Sequence, residues 1–148
     1  MDREELTRRE AEAWAAFSAE LVRVPGDRRE RPGIGEGAWT VKDLLWHVAH
    51  WWDDLVGLLE AMRAGAYVEE SWPDEVTDAE NARVFEEGRR RSLAEVERAT
   101  AAARERMLAA WAALPEVDDA ARREFVSETI EHYEEHLPDL LRFAEEFA

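Results

Sequence analysis

The stretch Thr40–Met62, TVKDLLWHVAHWWDDLVGLLEAM, decides the fold that we expect for this chain. Its apolar residues recur at intervals of three and four, which is the period of an amphipathic helix. Thr40 is a good N-cap and Gly65 a good left-handed C-cap, so the sequence predicts a helix between them. The predicted buried stripe is Leu44, Val48, Trp51, Leu55, Leu58 and Met62.

The remaining sequence has the same helical character, because only seven Gly and five Pro interrupt long Ala/Glu/Arg/Leu stretches. The further predicted helices are Arg3–Val24, a third region that starts near Asp78, breaks or bends near Gly88 and resumes from Leu93 to Leu114, and Asp119–Phe147 with a kink at Pro138. Long helices with mostly short connections bury their apolar stripes most simply against one another. We therefore predict an all-α four-helix bundle that forms a single domain over residues 1–148.

The chain is strongly acidic, with 19 Lys and Arg against 35 Asp and Glu and a formal net charge of −16. Affinity for nucleic-acid phosphates and for anionic lipids rests on basic side chains. This charge therefore argues against nucleic-acid and membrane partners. The acidic start, Met-Asp-Arg-Glu-Glu, is unlike a secretory signal, and we expect a cytoplasmic protein.

The sequence contains no cysteine, which excludes disulfides, thiolate metal sites and a cysteine nucleophile. Any transition-metal site has to use the four histidines and the carboxylates. A sulfur nucleophile would have to arrive with a ligand.

Three of the four histidines have positions that suit one metal site. His132 and His136 are four residues apart on the last predicted helix, so their side chains stack on one face about 6 Å apart at Cβ. His47 lies at the edge of the buried stripe of the 40–65 helix, where a bundle can turn it toward the last helix. Three neutral imidazoles leave coordination positions open, as expected of a catalytic metal.

The fourth histidine and the neighbouring polar residues have weaker functional cases. His50 lies about 60° further toward solvent than His47 on the same predicted helix. Thr129 and Tyr133 are interpreted as core groups or as groups that orient a ligand from behind. An HxxxH pair also occurs without any metal, as two partly buried and hydrogen-bonded side chains, and this second reading stays open from the spacing alone.

Two motifs resemble one known family. Residues 35–47, GEGAWTVKDLLWH, resemble the "GeWsvKDvlaH" signature of the DinB-like four-helix bundle superfamily. Residues 129–136, TIEHYEEH, resemble its "t..HY..H" segment, and the motifs lie in the expected order about 85 residues apart. Asn81, which follows an acidic loop and precedes a long helix, is similar to the branch that includes the ClbS/DfsB proteins.

The resemblance implies that His47, His132 and His136 bind a divalent metal, and imidazoles accept zinc, nickel, copper or iron. Members of the superfamily include thiol-dependent transferases, a mycothiol-dependent isomerase and a colibactin-resistance protein. The isomerase branch has Glu in place of His132, which argues against that activity. Many relatives have Trp-Glu after the second-helix histidine, where this chain has Trp51-Trp52-Asp53, so no carboxylate is transferred to that place.

The leading functional hypothesis is a metal-dependent transferase or hydrolase that attacks a small electrophile with a low-molecular-weight thiol or water. The alternative is a non-catalytic helical bundle of the ClbS/DfsB type that sequesters a small molecule and has lost the metal. Trp46 is expected on the outer side of its helix, where a large apolar group favours a homodimer interface.

Overall fold

The structure is a computed structural model that describes residues 1–147. Within this range the regular structure is helical, apart from one isolated antiparallel bridge between Ile34 and Trp39. The helices are α1 (Arg3–Arg23), a short 3-10 helix (Gly26–Arg28), α2 (Val41–Arg63), α3 (Asp74–Arg89), α4 (Leu93–Ala113), α5 (Asp119–Glu128) and α6 (Ile130–Glu145). The predicted all-α class is confirmed.

The contacts divide the chain into two compact units. Unit 1 consists of residues 1–41 and 116–147 and contains α1, α5 and α6. Within it α1 and α5 both pack on α6. The apolar stripe predicted for α1 is buried at Leu6, Phe17 and Leu21, and the helix starts at Asp2, whose carboxylate accepts from the Glu5 amide.

Unit 2 is the continuous stretch 42–115, which contains α3, α4 and nearly all of α2. The prediction of the buried face of α2 is partly wrong, because Trp52 and Leu59 are fully buried whereas Trp51, Leu58 and Met62 are half-buried. The buried side chains of the three helices include Leu44, Val48, Trp52, Leu55, Leu59, Val84, Val96, Met107 and Trp111. Gly65 has φ +71°, as predicted for the residue that follows the end of α2.

The start of α3 differs from the prediction, whereas the interruption predicted near Gly88 is confirmed. The helix begins at Asp74 rather than near Asp78, with two acidic residues in the first turn that complement its dipole. It ends at Arg89, directly after Gly88, and α4 resumes at Leu93, where Ser92 caps it by accepting from the Glu95 amide. An added Cβ at Gly88 would lie 2.6 Å from Trp46 Cδ1.

The last predicted helix is divided in two, and not at the predicted place. Thr129 separates α5 from α6 with φ −121° and ψ −90°, while Pro138 lies inside α6. Pro138 lacks the amide hydrogen that would bond the Glu134 carbonyl, and both residues are exposed, so water can reach that carbonyl. No described helix has the length and apolar character needed to cross a bilayer.

Candidate metal centre

The two histidines of the last helix lie together, as the spacing predicts. α6 begins at Ile130, directly after the interruption at Thr129, and His132 is in its first turn. The ring centroids of His132 and His136 are 4.8 Å apart, with an angle of 61° between the planes. His132 is buried and His136 is half-buried. The pair therefore forms one compact imidazole cluster on α6.

Burial gives these two rings the protonation state that metal binding requires. Desolvation, helped by the neighbouring His136 imidazole, lowers the pKa of His132 to about 3. Desolvation also lowers the pKa of His136, although the Glu135 and Asp139 carboxylates act in the opposite direction. A neutral imidazole is the form that binds a metal ion, so His132 is ready to act as a ligand at neutral pH.

His47 occupies the first half of α2, in unit 2. Its side chain is 7% exposed, and the neighbouring Leu44 and Val48 are completely buried. The position at the edge of the apolar stripe thus places an imidazole inside the protein rather than in solvent. Among the described residues, His47, His132 and His136 form a group that could hold a metal ion, each with one ring nitrogen as ligand atom.

The donor set fits a divalent transition metal. Imidazole nitrogens suit zinc, copper, iron and nickel, and three such ligands leave positions open. One nitrogen of each ring, Nδ1 of His47, Nδ1 of His132 and Nε2 of His136, is buried from solvent. These nitrogens are therefore shielded from bulk water.

The other candidates of the sequence are engaged elsewhere. His50 Nε2 lies 3.3 Å from Glu80 Oε1, and the His50 ring meets the Trp51 ring edge-on with centroids 5.0 Å apart. Asp53 is half-exposed and pairs with Arg106 of α4 at 2.9 Å. The structure thus gives both residues surface ion pairs within unit 2.

Thr129 and Tyr133 use their hydroxyl groups for structure, as interpreted from the sequence. The Thr129 hydroxyl donates to the Phe125 carbonyl at 2.6 Å. The Tyr133 hydroxyl donates to Glu10 Oε1 at 2.9 Å, which joins α6 to α1.

Two residues that contact α6 were not predicted from the sequence. Glu10 is completely buried although it is charged in its ordinary form; its position four residues after Leu6, within the apolar stripe of α1, was the available signal. Trp39 lies near-parallel to His136, with ring centroids 6.3 Å apart and 27° between the planes. Its signal was a large aromatic residue in the motif before α2.

Comparisons with known proteins place this architecture. The model of the DinB superfamily matches residues 3–146, which is nearly the whole chain. No curated protein and no solved structure matches the chain.

Proposed function

The chain belongs to the DinB superfamily, and from this premise we propose that it binds a divalent transition metal through His47, His132 and His136 and acts on a small electrophile. The observation that carries the proposal is that these three histidines form a group able to hold an ion. Three imidazole ligands support a catalytic rather than a structural metal, since structural sites close all four positions with protein ligands.

The chemistry proposed for the site is the attack of an external nucleophile. The protein offers no thiol of its own, since the chain has no cysteine, so the nucleophile is a low-molecular-weight thiol or water. A divalent metal at these imidazoles would lower the pKa of that thiol or water, which makes the nucleophile available at neutral pH. The protein would transfer the thiol to the electrophile, or it would hydrolyse the electrophile with water.

The residues of this chain would bind the metal ion and exclude water from its surroundings. The low pKa of His132 keeps its ring neutral at physiological pH, so no proton has to leave before the ion binds. His47 and His132 are each 7% exposed, and an environment shielded from water strengthens every charge interaction with a bound ion.

Metal content tests the proposal. The protein, purified without a histidine tag and reconstituted with zinc, nickel or iron in turn, is expected to hold one equivalent of metal. His136→Ala and His132→Ala are each expected to weaken binding by at least about 100-fold, because the loss of a ligand itself should cost no less than the roughly 10–100-fold caused by losing a group that only orients a ligand. Inductively coupled plasma analysis after dialysis gives the stoichiometry.

His50→Ala is the matched control, because it removes the fourth histidine from the same helix as His47 without touching the group. It should retain the metal, and circular dichroism should report a folded protein for all variants. A wild-type protein that holds no metal, or a His50→Ala variant that loses it as fully as His136→Ala, would contradict the proposal.

A sequestering function is the second candidate, and one observation favours it. Trp72, in the connection between α2 and α3, is 43% exposed. Its ring meets Trp51 edge-on with centroids 6.1 Å apart, and Asn81 Oδ1 fixes Trp51 by accepting from its indole at 2.9 Å. An exposed indole against a fixed one offers an apolar surface to a small hydrophobic molecule.

The two candidates differ in what the histidines do. Sequestration predicts ligand binding that survives His132→Ala and falls with Trp72→Ala. Binding that disappears when the metal is removed would exclude this version and favour the enzyme.

We also propose a homodimer, although the surroundings of Trp46 support it less than the sequence pattern does. Trp46 is half-buried, next to Gly88 and with the Arg91 guanidinium 5.3 Å from its ring centroid. The indole is thus largely covered within unit 2, contrary to the expectation of an outward group. Light scattering at micromolar concentration tests the dimer, and a monomer would contradict it.

A further inference from the structure

Residues 33–39 form a tight turn whose backbone is held by its own hydrogen bonds. The Ile34 amide donates to the Trp39 carbonyl at 2.9 Å, and the Trp39 amide donates back to the Ile34 carbonyl at 3.0 Å. Ala38 has φ +51°, which an L residue adopts rarely, and Gly35 has φ +69°. The backbone at Trp39 is therefore held in one conformation.

This turn lies along α6, the helix that bears the histidine pair. Two glycines of the turn approach the helix so closely that an added Cβ would lie 2.8 Å from Phe143 Cε1 at Gly33 and 3.0 Å from Asp139 Oδ2 at Gly35. The third approach is the near-parallel pair of Trp39 and His136, with ring centroids 6.3 Å apart. Three points of contact along α6 thus set the distance between the turn and the helix.

The indole of Trp39 is also limited by its own turn. An added Cβ at Gly37 would lie 3.0 Å from Trp39 Nε1 and 3.1 Å from its Cδ1. A side chain at residue 37 would therefore collide with the indole of Trp39. The same indole is the ring that pairs with the His136 imidazole.

From this geometry we propose that Trp39 is a positioning residue for His136. The indole lies near-parallel to the imidazole and limits the orientations that this ring can take. This inference rests on the proposed metal site: a ring already held in the binding orientation loses less rotational freedom when an ion arrives. The turn before α2 thus takes part in the metal centre through α6.

The first test uses the metal-free protein, so that it does not depend on metal binding. The ring signals of His136 are followed by NMR in protein labelled with ¹³C at histidine and assigned with His136→Gln. Trp39 should shift them through its ring current and hold the imidazole in one orientation. Trp39→Leu is expected to abolish the shift and to increase the ring's motion.

Gly37→Ala sharpens this test because it moves the indole without deleting it. It should change the His136 signals in the same direction as Trp39→Leu. Gly26→Ala is the matched control: the same substitution in the same unit meets nothing within 4 Å and should leave the signals unchanged. Trp39→Phe retains an aromatic face and should restore most of the ordering.

The second test measures affinity with Co²⁺ as the probe, by competition with a chromophoric chelator. Trp39→Leu is expected to bind Co²⁺ about threefold to tenfold more weakly, the range that an aromatic pair is worth, with Trp39→Phe close to wild type. Thermal unfolding of the metal-free variants accompanies the titration, because a purely structural role would change stability and leave the affinity of the folded protein unchanged.

The outcomes separate the two proposals. His136 signals that are unchanged in both Trp39→Leu and Gly37→Ala overturn the positioning role, whatever metal the protein holds. Altered signals with unchanged Co²⁺ affinity overturn it as well, since the ordering then has no bearing on the ion. A wild-type protein that binds no Co²⁺ overturns the metal site itself and, with it, the part of this inference that concerns the ion, whereas the NMR result still decides whether Trp39 orders His136.

Discussion

The helices α2 and α6 each carry two histidines, yet only one helix presents them as a pair. On α6 the rings of His132 and His136 are 4.8 Å apart, and burial lowers the pKa of both. On α2 a spacing of three separates the functions: His47 is buried, whereas His50 is half-buried and lies 3.3 Å from Glu80. The surroundings of each ring, not the number of histidines, distinguish a candidate ligand from a member of a surface ion pair.

The largest expected effect concerns the stability of the metal-free protein in acid. An unfolded His titrates near 6.5, whereas His132 in the folded protein has a pKa of about 3. Between these values the unfolded chain binds the extra proton, so the contribution of His132 to stability is complete above pH 6.5 and falls as the pH drops. The loss should approach roughly 1.4 kcal/mol per pH unit well below pH 6.5, and amounts to roughly 2–3 kcal/mol from pH 6.5 to 4.5, because the unfolded histidine is only half protonated at pH 6.5.

Urea denaturation in the presence of a chelator measures this loss. His132→Gln should flatten the profile by that amount, because it removes the group that takes up the extra proton on unfolding. A profile as steep in His132→Gln as in the wild type would contradict the assignment of the acid sensitivity to the buried ring on α6.

The next effect tests how the start of α2 is held in unit 2. Gly88→Ala should destabilise the protein by about 2 kcal/mol, the typical cost of forcing a methyl group into a packed region, because the added Cβ would lie 2.6 Å from Trp46 Cδ1. Gly57→Ala is the matched change inside α2, where a Cβ meets nothing within 4 Å. It should stabilise the protein by about 0.5–1 kcal/mol through the greater helix propensity of Ala.

Thermal and urea unfolding of both glycine variants decide this prediction. If Gly88→Ala were as stable as Gly57→Ala, the contact between Trp46 and α3 would not restrict this glycine.

A smaller effect separates the two faces of α6. Tyr133→Phe removes the hydrogen bond to the buried Glu10 carboxylate and should cost about 1–2 kcal/mol. Metal affinity should stay within about twofold of wild type, since one helical position turns Tyr133 by about 100° from His132. In a Glu10→Leu background the same substitution should cost less, and an additive double-mutant cycle would exclude coupling between the two side chains.

The smallest effect is expected at the ion pair of α2. Glu80→Gln removes the partner of His50 and of Arg83, and exposed pairs of this kind contribute less than about 1 kcal/mol. The metal content should not change. A variant that lost its metal would place His50, rather than His47, among the ligands.

The helix limits and the histidine pair could be predicted because local signals mark them. α1 ends at Arg23, one residue before its predicted end and just before a Pro-Gly pair at residues 25–26, and Ser92 caps the start of α4. The i, i+4 spacing was sufficient to bring His132 and His136 together on α6. Whether they and His47 hold an ion stays a prediction.

The buried face of α2 could not be predicted with the same accuracy. Trp51 and Trp52 are adjacent and equally apolar, so the sequence pattern allows either on the buried face. The structure buries Trp52, while the Trp51 indole N–H finds a partner in Asn81 of α3. This hydrogen bond joins residues 30 positions apart and accompanies the observed rotation of the helix, and no local pattern contains it.

The interruption at Thr129 had no signal of its own. Neither Gly nor Pro occurs there, and the helix continues through Pro138, where the prediction placed the kink. The break lies in the backbone angles of a threonine whose hydroxyl bonds back to Phe125. A sequence shows which residues disfavour helices. It does not show where tertiary contacts interrupt a segment whose residues favour a helix.

Unit 1 is formed by two segments that are far apart in the sequence, and this separation affects how the protein folds during translation. α1 is synthesised before its packing partner α6, and the hydrogen bond between Glu10 and Tyr133 spans 123 positions. The stretch 42–115, which lies between them, forms its internal contacts without either helix. The amphipathic α1 is therefore expected to leave the ribosome with an uncovered apolar stripe, which stays exposed until α6 has been synthesised.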